Sequence, residues 1–501
     1  MQRSSGILIH PTSFPGPFGI GCLGDEARDV LDILVKAGCR AWQVLPLGPT
    51  GYGDSPYASS SSFAGNELLI DPRQIPYTSP TELTALNARL PHGGRVDYAL
   101  VSSRKKDFLF KAAGAFLSLA SRSELAQFKG FCEERAWWLD DYSLYRAITD
   151  DLGDGRWGLW PQGLRLREQK ALEEARKRLS SQIEAYKALQ YFFFEQWHGL
   201  KSYANSIGLT VIGDVPIFVS AESADAWSEP RLFKIDAKGH LAGLSGVPPD
   251  AFSSTGQLWG NPLYSWAEHE KDDFAWWKKR LRSCLALTDV VRIDHFRGFE
   301  ACWEVSPEET TAINGRWVKG PGIKIFESLK REFGSKLRII AEDLGVITDE
   351  VEALRDQTGF AGMRILQFAF ALKDGKLDAT NVYLPHNYIQ NCVAYTGTHD
   401  NNTSRGWFAS LDPATQDAVR RYLQCPDHEV VWQMIRALWS SCADLAIIPM
   451  QDLAGLGEEA RMNLPSTVGS SNWSWRMDEG SIEPWMIERL RSFSELYGRL
   501  S

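Results

Sequence analysis

Residues 289–296 read DVVRIDHF, and residues 337–345 read LRIIAEDLG. Each is a short β-branched or apolar run that ends on an acid, Asp294 in the first and Glu342 in the second. Side chains alternate along a strand, so Arg292 and Asp294 share one face while Val291 and Ile293 share the other. If that face is the inside of a barrel, the guanidinium is expected to lower the Asp294 pKa and keep it an anion. The plainer alternative is a buried ion pair that fixes strand register. Glu342 leaves the apolar run Ile339-Ile340-Ala341, which predicts a raised pKa. Its neighbour Asp343 points the other way and is expected to cap a helix.

The same kind of run recurs eight times: GILIHP (6–11), RAWQVLPL (40–47), LTVIGDVPIF (209–218), the two above, MRILQFAF (363–370), NCVAYTGTHD (391–400) and LAIIPMQDL (445–453). Between them lie amphipathic segments of helical period, such as DEARDVLDILVKAG, GIKIFESLKREFG and DEVEALRDQTG, some closed by Gly. Strand and helix in eightfold alternation predict an α/β chain, a (β/α)8 TIM barrel with helical and loop insertions between strands. All of 1–501 is read as one barrel. An insertion at about 95–205, after the second strand, reads as helix (KKDFLFKAAGAFLSLA, LEEARKRLSSQIEAYKALQYFFFEQW). Another at about 219–270, after the third, is rich in Gly, Pro and Ser and is expected to be a loop over the active site.

Hydrophobic residues make up 44% and charged residues 23%, which supplies a large core and excludes disorder. The net charge of −9, without a basic run, argues against nucleic acid and anionic membrane as partners and favours a neutral substrate. Nineteen Trp fit either core filling or flat platforms for sugar rings. Eight Cys without a CxxC, together with an N-terminus lacking a signal-like apolar segment, predict reduced thiols and a cytoplasmic location. The absence of GxGxxG and GxxxxGK[ST] predicts no nucleotide cofactor.

Two further strands end on acids, Asp214 in VIGDVPIF and Asp400 in YTGTHDNNT. An acid after a strand is commonly a helix cap, but four in one barrel converge on one rim. Cleaving a glycosidic bond requires two carboxyl groups, one to protonate the leaving oxygen and one to attack or support the cationic carbon. His399 beside Asp400 permits a metal-ligand reading. With nine His and no HxH or HExxH spacing, no catalytic metal is predicted, and a structural ion stays open. His10 and His295 also fall at strand ends, as contacts to sugar hydroxyls or as structural residues.

Together, SSGILIHPTSFPGPFGIG, WQVLPLGPTGYGDSPYASSSSFAGN (42–66), GDVPIFV, LWGNPLY, RIDHFRG, AEDLG, YTGTHDNNT and RMNLPSTVGSSNWSWR resemble the 4-α-glucanotransferases, or amylomaltases, of the α-amylase clan, essentially end to end. The resemblance implies transfer of a (1→4)-α-glucan segment to an acceptor glucose or maltooligosaccharide by a retaining double displacement, without a cofactor. By that likeness Asp294 is the nucleophile, Glu342 the acid and base, and Asp400 the stabiliser of the distorted ring. Tyr57, Asp214, Arg292, His295 and His399 would touch the bound sugar, and Trp259, Asn463 and Pro465 would bind glucan. Ser466 departs from the pattern, because a Gly is expected after that proline, and this puts the role of Asn463 and Pro465 in doubt. Phe252, Leu258, Trp259, Tyr264 and Trp266 are expected to form an apolar lid that shields the intermediate from water, or simply to pack their loop. The alternatives are an α-glucan hydrolase of the same clan and a non-catalytic glucan-binding protein. The chain is expected to be a monomer or homodimer.

Overall fold

The computed structural model describes residues 3–249 and 253–500. Each of the eight runs contains a strand: β1 (Ser4–Leu8), β2 (Ala41–Gln43), β3 (Thr210–Pro216), β4 (Val290–Asp294), β5 (Ile339–Ala341), β6 (Gly362–Ile365), β7 (Cys392–Tyr395) and β8 (Leu445–Pro449). They form one parallel sheet in the ring order β6-β7-β8-β1-β2-β3-β4-β5. Ser4 pairs with Leu445 at the seam between β1 and β8. Between β5 and β6 the ring meets at the parallel bridge Ile340–Ala361, where the Ala341 N–H donates to the Ala361 carbonyl at 2.9 Å. Parallel strands covered by helices are buried on both faces, and β7 and β8 are buried along their whole length, as that arrangement requires. In 363–370 the strand stops at Ile365 and the rest winds into a 3-10 turn, Leu366–Phe370.

Between β2 and β3 the chain forms the long helices Tyr98–Leu119, Arg122–Leu152 and Ser180–Ser206. The second opens with a capping box between Ser121 and Glu124 and ends on left-handed Gly153. The helices lock together through aromatic edges, such as Phe116 on Phe192 at 5.1 Å.

The segment after β3 departs from the loop expectation. Leu244–Val247 and Gln257–Pro262 are strands, joined by Ala301–Val305 and Gly315–Lys319 from beyond β4 in a four-stranded antiparallel sheet. Gly246 reads as a loop signal but serves close strand approach, since a Cβ there would sit 2.5 Å from the Gln257 carbonyl. Tyr264 is buried, with its hydroxyl on the Ile217 carbonyl at 2.7 Å, so it is core and not lid. Trp266 packs on Tyr264, with ring centroids 4.6 Å apart. Phe252 lies outside the described residues.

Asp343 caps no helix: the next helix, Asp349–Thr358, starts after Thr348. Asp343 is buried instead, accepting from the Met363 N–H at 2.7 Å and pairing with Arg355 at 2.6 Å, which ties β5 to β6. Among the described residues no helix is long and apolar enough to cross a membrane. All eight cysteines are free thiols.

Candidate active site

Pairing of β3 with β4 sets Asp214 opposite Arg292 and Pro216 opposite Asp294. Residues of like parity then face one interior, and Arg292 meets both acids. Its Nη1 lies 2.6 Å from Asp214 Oδ2, and its Nη2 lies 2.8 Å from Asp294 Oδ1. Asp214 is sealed from solvent and also accepts the Tyr57 hydroxyl at 2.8 Å, whereas the Asp294 side chain stays 30% exposed. One acid serves the scaffold and the other faces the cleft.

Glu342 sits just past β5, and both its carboxylate oxygens accept backbone N–H groups, from His295 at 2.6 Å and Leu344 at 2.9 Å. His295 reaches this position by adopting a left-handed backbone (φ 53°), a conformation that costs a non-glycine residue free energy and recurs at functional sites. Burial pushes the Glu342 carboxyl up, and the Asp294 charge adds to the effect, to about 8. The expected direction for Asp294 is corrected. Burial raises its pKa above the ordinary aspartate value despite the opposing pull of Arg292, and the neighbouring Asp214 and Asp400 charges add to the rise. Burial also keeps His295 neutral, with its pKa lowered to about 3.

Asp400 completes the bowl from the loop after β7. Burial would raise its pKa, but His399, at 3.3 Å, and the Asn463 amide, at 2.6 Å, outweigh it and hold the carboxyl down to about 2. Its side chain is 46% exposed, open to a ligand. His399 stacks on Tyr57 with ring centroids 5.0 Å apart and planes 17° apart, which joins the loops after β2 and β7. Trp259, 39% exposed, meets the His295 ring edge-on at 4.8 Å. Pro465 is half-buried on the loop beyond Asn463, and Ser466 adopts φ 62°, the left-handed backbone for which a Gly is suited.

Two neighbours escaped the sequence reading. Arg461 donates to the Asp400 carbonyl at 2.6 Å and to the Asn463 carbonyl at 2.7 Å. Trp473 packs 5.7 Å from Tyr57 and 5.8 Å from His399. Both lie in the motif RMNLPSTVGSSNWSWR, but residue type alone does not tell which of its polar and aromatic members turn inward. Among the described residues no group of three His, Cys, Asp or Glu forms a metal-binding cluster.

A carboxyl whose pKa is raised to about 8, near a carboxylate held by a guanidinium, is the kind of unequal pair that cleavage of a glycosidic bond requires. The family model described as 4-alpha-glucanotransferase matches residues 9–481. The chain belongs to the 4-alpha-glucanotransferase family. It is 47% identical to the 4-alpha-glucanotransferase of Thermus thermophilus, over 100% of both chains. It is 43% identical to the chloroplastic/amyloplastic enzyme of Solanum tuberosum, over 100% of this chain and 87% of that one. Among solved structures, amylomaltase from Streptococcus agalactiae in complex with acarbose superposes with a TM-score of 0.94 at 38% identity, covering 99% of this chain and 100% of that one. The 4-alpha-glucanotransferase barrel therefore frames the carboxylates described above.

Proposed function

We propose that the enzyme transfers segments of (1→4)-α-glucan by a retaining double displacement. The observation that carries this reading is the unequal setting of two neighbouring acids: Asp294 is gripped by Arg292, whereas Glu342 accepts from the backbone N–H groups of His295 and Leu344 and has its pKa raised to about 8. Glu342 gives its proton to the glycosidic oxygen as that bond breaks, and an Asp294 oxygen bonds to the anomeric carbon to form a glucosyl ester. Glu342, now a carboxylate, takes the proton of the acceptor 4-hydroxyl. That oxygen displaces Asp294, and the glucan is re-formed with retained configuration.

Asp400, held anionic by His399 and Asn463, accepts hydrogen bonds from the ring hydroxyls and offsets charge at the anomeric carbon. Tyr57 and His399 offer a flat wall beside that ring, and neutral His295 a further hydrogen-bonding group. Trp259 covers the cleft beside His295, and Pro465 borders the chain on the Asn463 side. For transfer to win, the acceptor must outcompete water at about 55 M, which requires a positioned hydroxyl and a sheltered ester. The eight free thiols support a reducing, cytoplasmic setting.

The test incubates the enzyme with maltotriose while oligosaccharide length and total reducing ends are followed together, beside Asp294→Asn. Glucose plus products longer than maltotriose, at constant reducing ends and absent in the variant, is the expected result. Rising reducing ends with only glucose and maltose would identify a hydrolase instead. No turnover at all would leave a binding protein.

A further inference from the structure

The loop of residues 461–473 brings Asn463 to Asp400 and ends on a tryptophan to which the mechanism gives no task. The Trp473 N–H closes the base of the loop by donating to the Met462 carbonyl at 2.7 Å. Asn472, buried inside, accepts from the Leu464 N–H at 3.1 Å and donates to the Thr467 carbonyl at 3.0 Å. Trp473 itself adopts φ 59°, the left-handed backbone. For a bulky residue this conformation costs free energy and persists only where the surroundings hold it.

The surroundings hold Trp473 from several sides. Its carbonyl accepts the hydroxyl of Tyr98 at 3.0 Å, from the first residue of the helix Tyr98–Leu119 in the insertion after β2. Its buried indole packs 5.7 Å from Tyr57 and 5.8 Å from His399, and those two rings stack on each other at 5.0 Å. The three rings form a triangle, and in a close-packed interior none of them tilts without displacing the others. Each of the indole's two partners leads to an acid. The Tyr57 hydroxyl donates to Asp214, which shares Arg292 with Asp294. His399 lies 3.3 Å from Asp400.

Resting on the transferase reading above, we propose that Trp473 is a positioning residue: its strained backbone aims the indole so that Tyr57 and His399 stay set for Asp294 and Asp400. A Gly suits this backbone without cost, so the Trp is there for its ring. Loss of the ring lets Tyr57 and His399 shift together, and the support of the nucleophile and of the stabiliser loosens at once. Both acids serve the sugar unit whose bond is broken, so the effect falls on kcat and not on the binding of the rest of the chain.

The experiment measures kcat and KM for disproportionation of maltotriose by the full-length enzyme and by Trp473→Leu and Trp473→Phe, each alone and combined with Tyr57→Phe. Leu removes the flat ring and Phe keeps one. Tyr57→Phe keeps the stacking ring and removes the hydroxyl that reaches Asp214. Misplacement by an ångström costs up to about 100-fold, and Trp473→Leu is expected to lower kcat about tenfold with KM within about twofold, most of the loss being recovered by Phe. In the Tyr57→Phe background the Leu substitution is expected to cost only about threefold, because part of its route to Asp294 is already cut. Unchanged kcat, a loss carried by KM alone, or an equal loss in both backgrounds overturns the proposal; the last would mark a tryptophan with a purely structural role. If Trp473→Leu does not fold, Tyr98→Phe decides, since it removes only the hydroxyl that holds the Trp473 carbonyl: a kcat lowered about threefold supports the proposal and an unchanged kcat overturns it. Failure of the unaltered enzyme to elongate maltotriose would instead overturn the transferase reading.

Discussion

Arg292 Nη1 holds Asp214 at 2.6 Å while its Nη2 holds Asp294 at 2.8 Å, so one guanidinium divides its charge between an acid that is sealed away and an acid that faces the cleft. A lysine offers a point charge and cannot bridge both in this geometry. Arg292→Lys is expected to lower kcat by about 100-fold, the scale of losing one preorganised electrostatic partner. Steady-state kinetics with maltotriose measure it, and near-wild-type kcat would remove Arg292 from the reaction.

The pH profile follows from the two acids. In the double displacement proposed above, Glu342 is protonated for the first step, so activity is expected to fall as pH rises through about 8. In the same proposal Asp294 is ionised, and its raised pKa is expected to set the acid limb above the ordinary aspartate value. Glu342→Asn or Gln removes the alkaline titration, so the residual activity of these variants is expected to show no limb near pH 8.

Glu342 also links stability to pH. Its folded-state pKa is raised, so the folded chain binds more protons than the unfolded one between the unfolded value and about 8, and stability falls as pH rises across that window. Glu342→Gln stays neutral throughout. It is expected to be more stable than the parent by on the order of 2 kcal/mol at neutral pH, with the difference vanishing below about pH 4. Denaturant melts at several pH values check this; a pH-independent difference would argue against a buried neutral acid.

Asp400 has the opposite sign. Its folded pKa is depressed to about 2, so its contribution is present above the unfolded value and lost as pH falls toward about 2. Asn463→Ala removes one of the hydrogen bonds that depress it. Turnover is expected to fall about tenfold, and the acid-unfolding midpoint to move up, as for loss of a hydrogen bond to a charged group. Unchanged acid unfolding would show that His399 alone fixes the charge.

Ser466→Gly is expected to raise stability by about 1 kcal/mol, because Ser466 occupies the left-handed backbone at φ 62° without a Cβ-free residue to suit it. Urea unfolding measures the change, and turnover on maltotriose reports whether the relaxed loop alters acceptor use. A loss of stability would show that the Ser side chain makes a contact worth more than the strain.

The barrel was legible because its strands announce themselves twice, by β-branched apolar residues within and by an acid or Pro at the end, as in VVRID and LAIIP. The side sheet was not, since its strands are short and contain Gly246 and Pro262, residues that locally signal turns. Parity along β4 put Arg292 and Asp294 on one face, but the sharing of that arginine with Asp214 depends on the register of β3, which no local pattern encodes. The Asp294 expectation had the wrong sign because burial, which the local sequence does not show, outweighs the pull of Arg292. Asp343 looked like a cap for the same reason: its partner, Arg355, lies on the following helix and is met only once the barrel has formed.

Tyr57 comes from the loop after β2, yet it leans on His399 and Trp473 from the far end of the chain, and β1 finds its second neighbour only in β8. A ribosome that has already polymerised Asp294, Glu342 and Asp400 has therefore not yet made an enzyme. The growing chain lacks the strand that closes the ring and the Asn463 that hydrogen-bonds Asp400, so the geometry of the site is complete only once the C-terminal segments have been made.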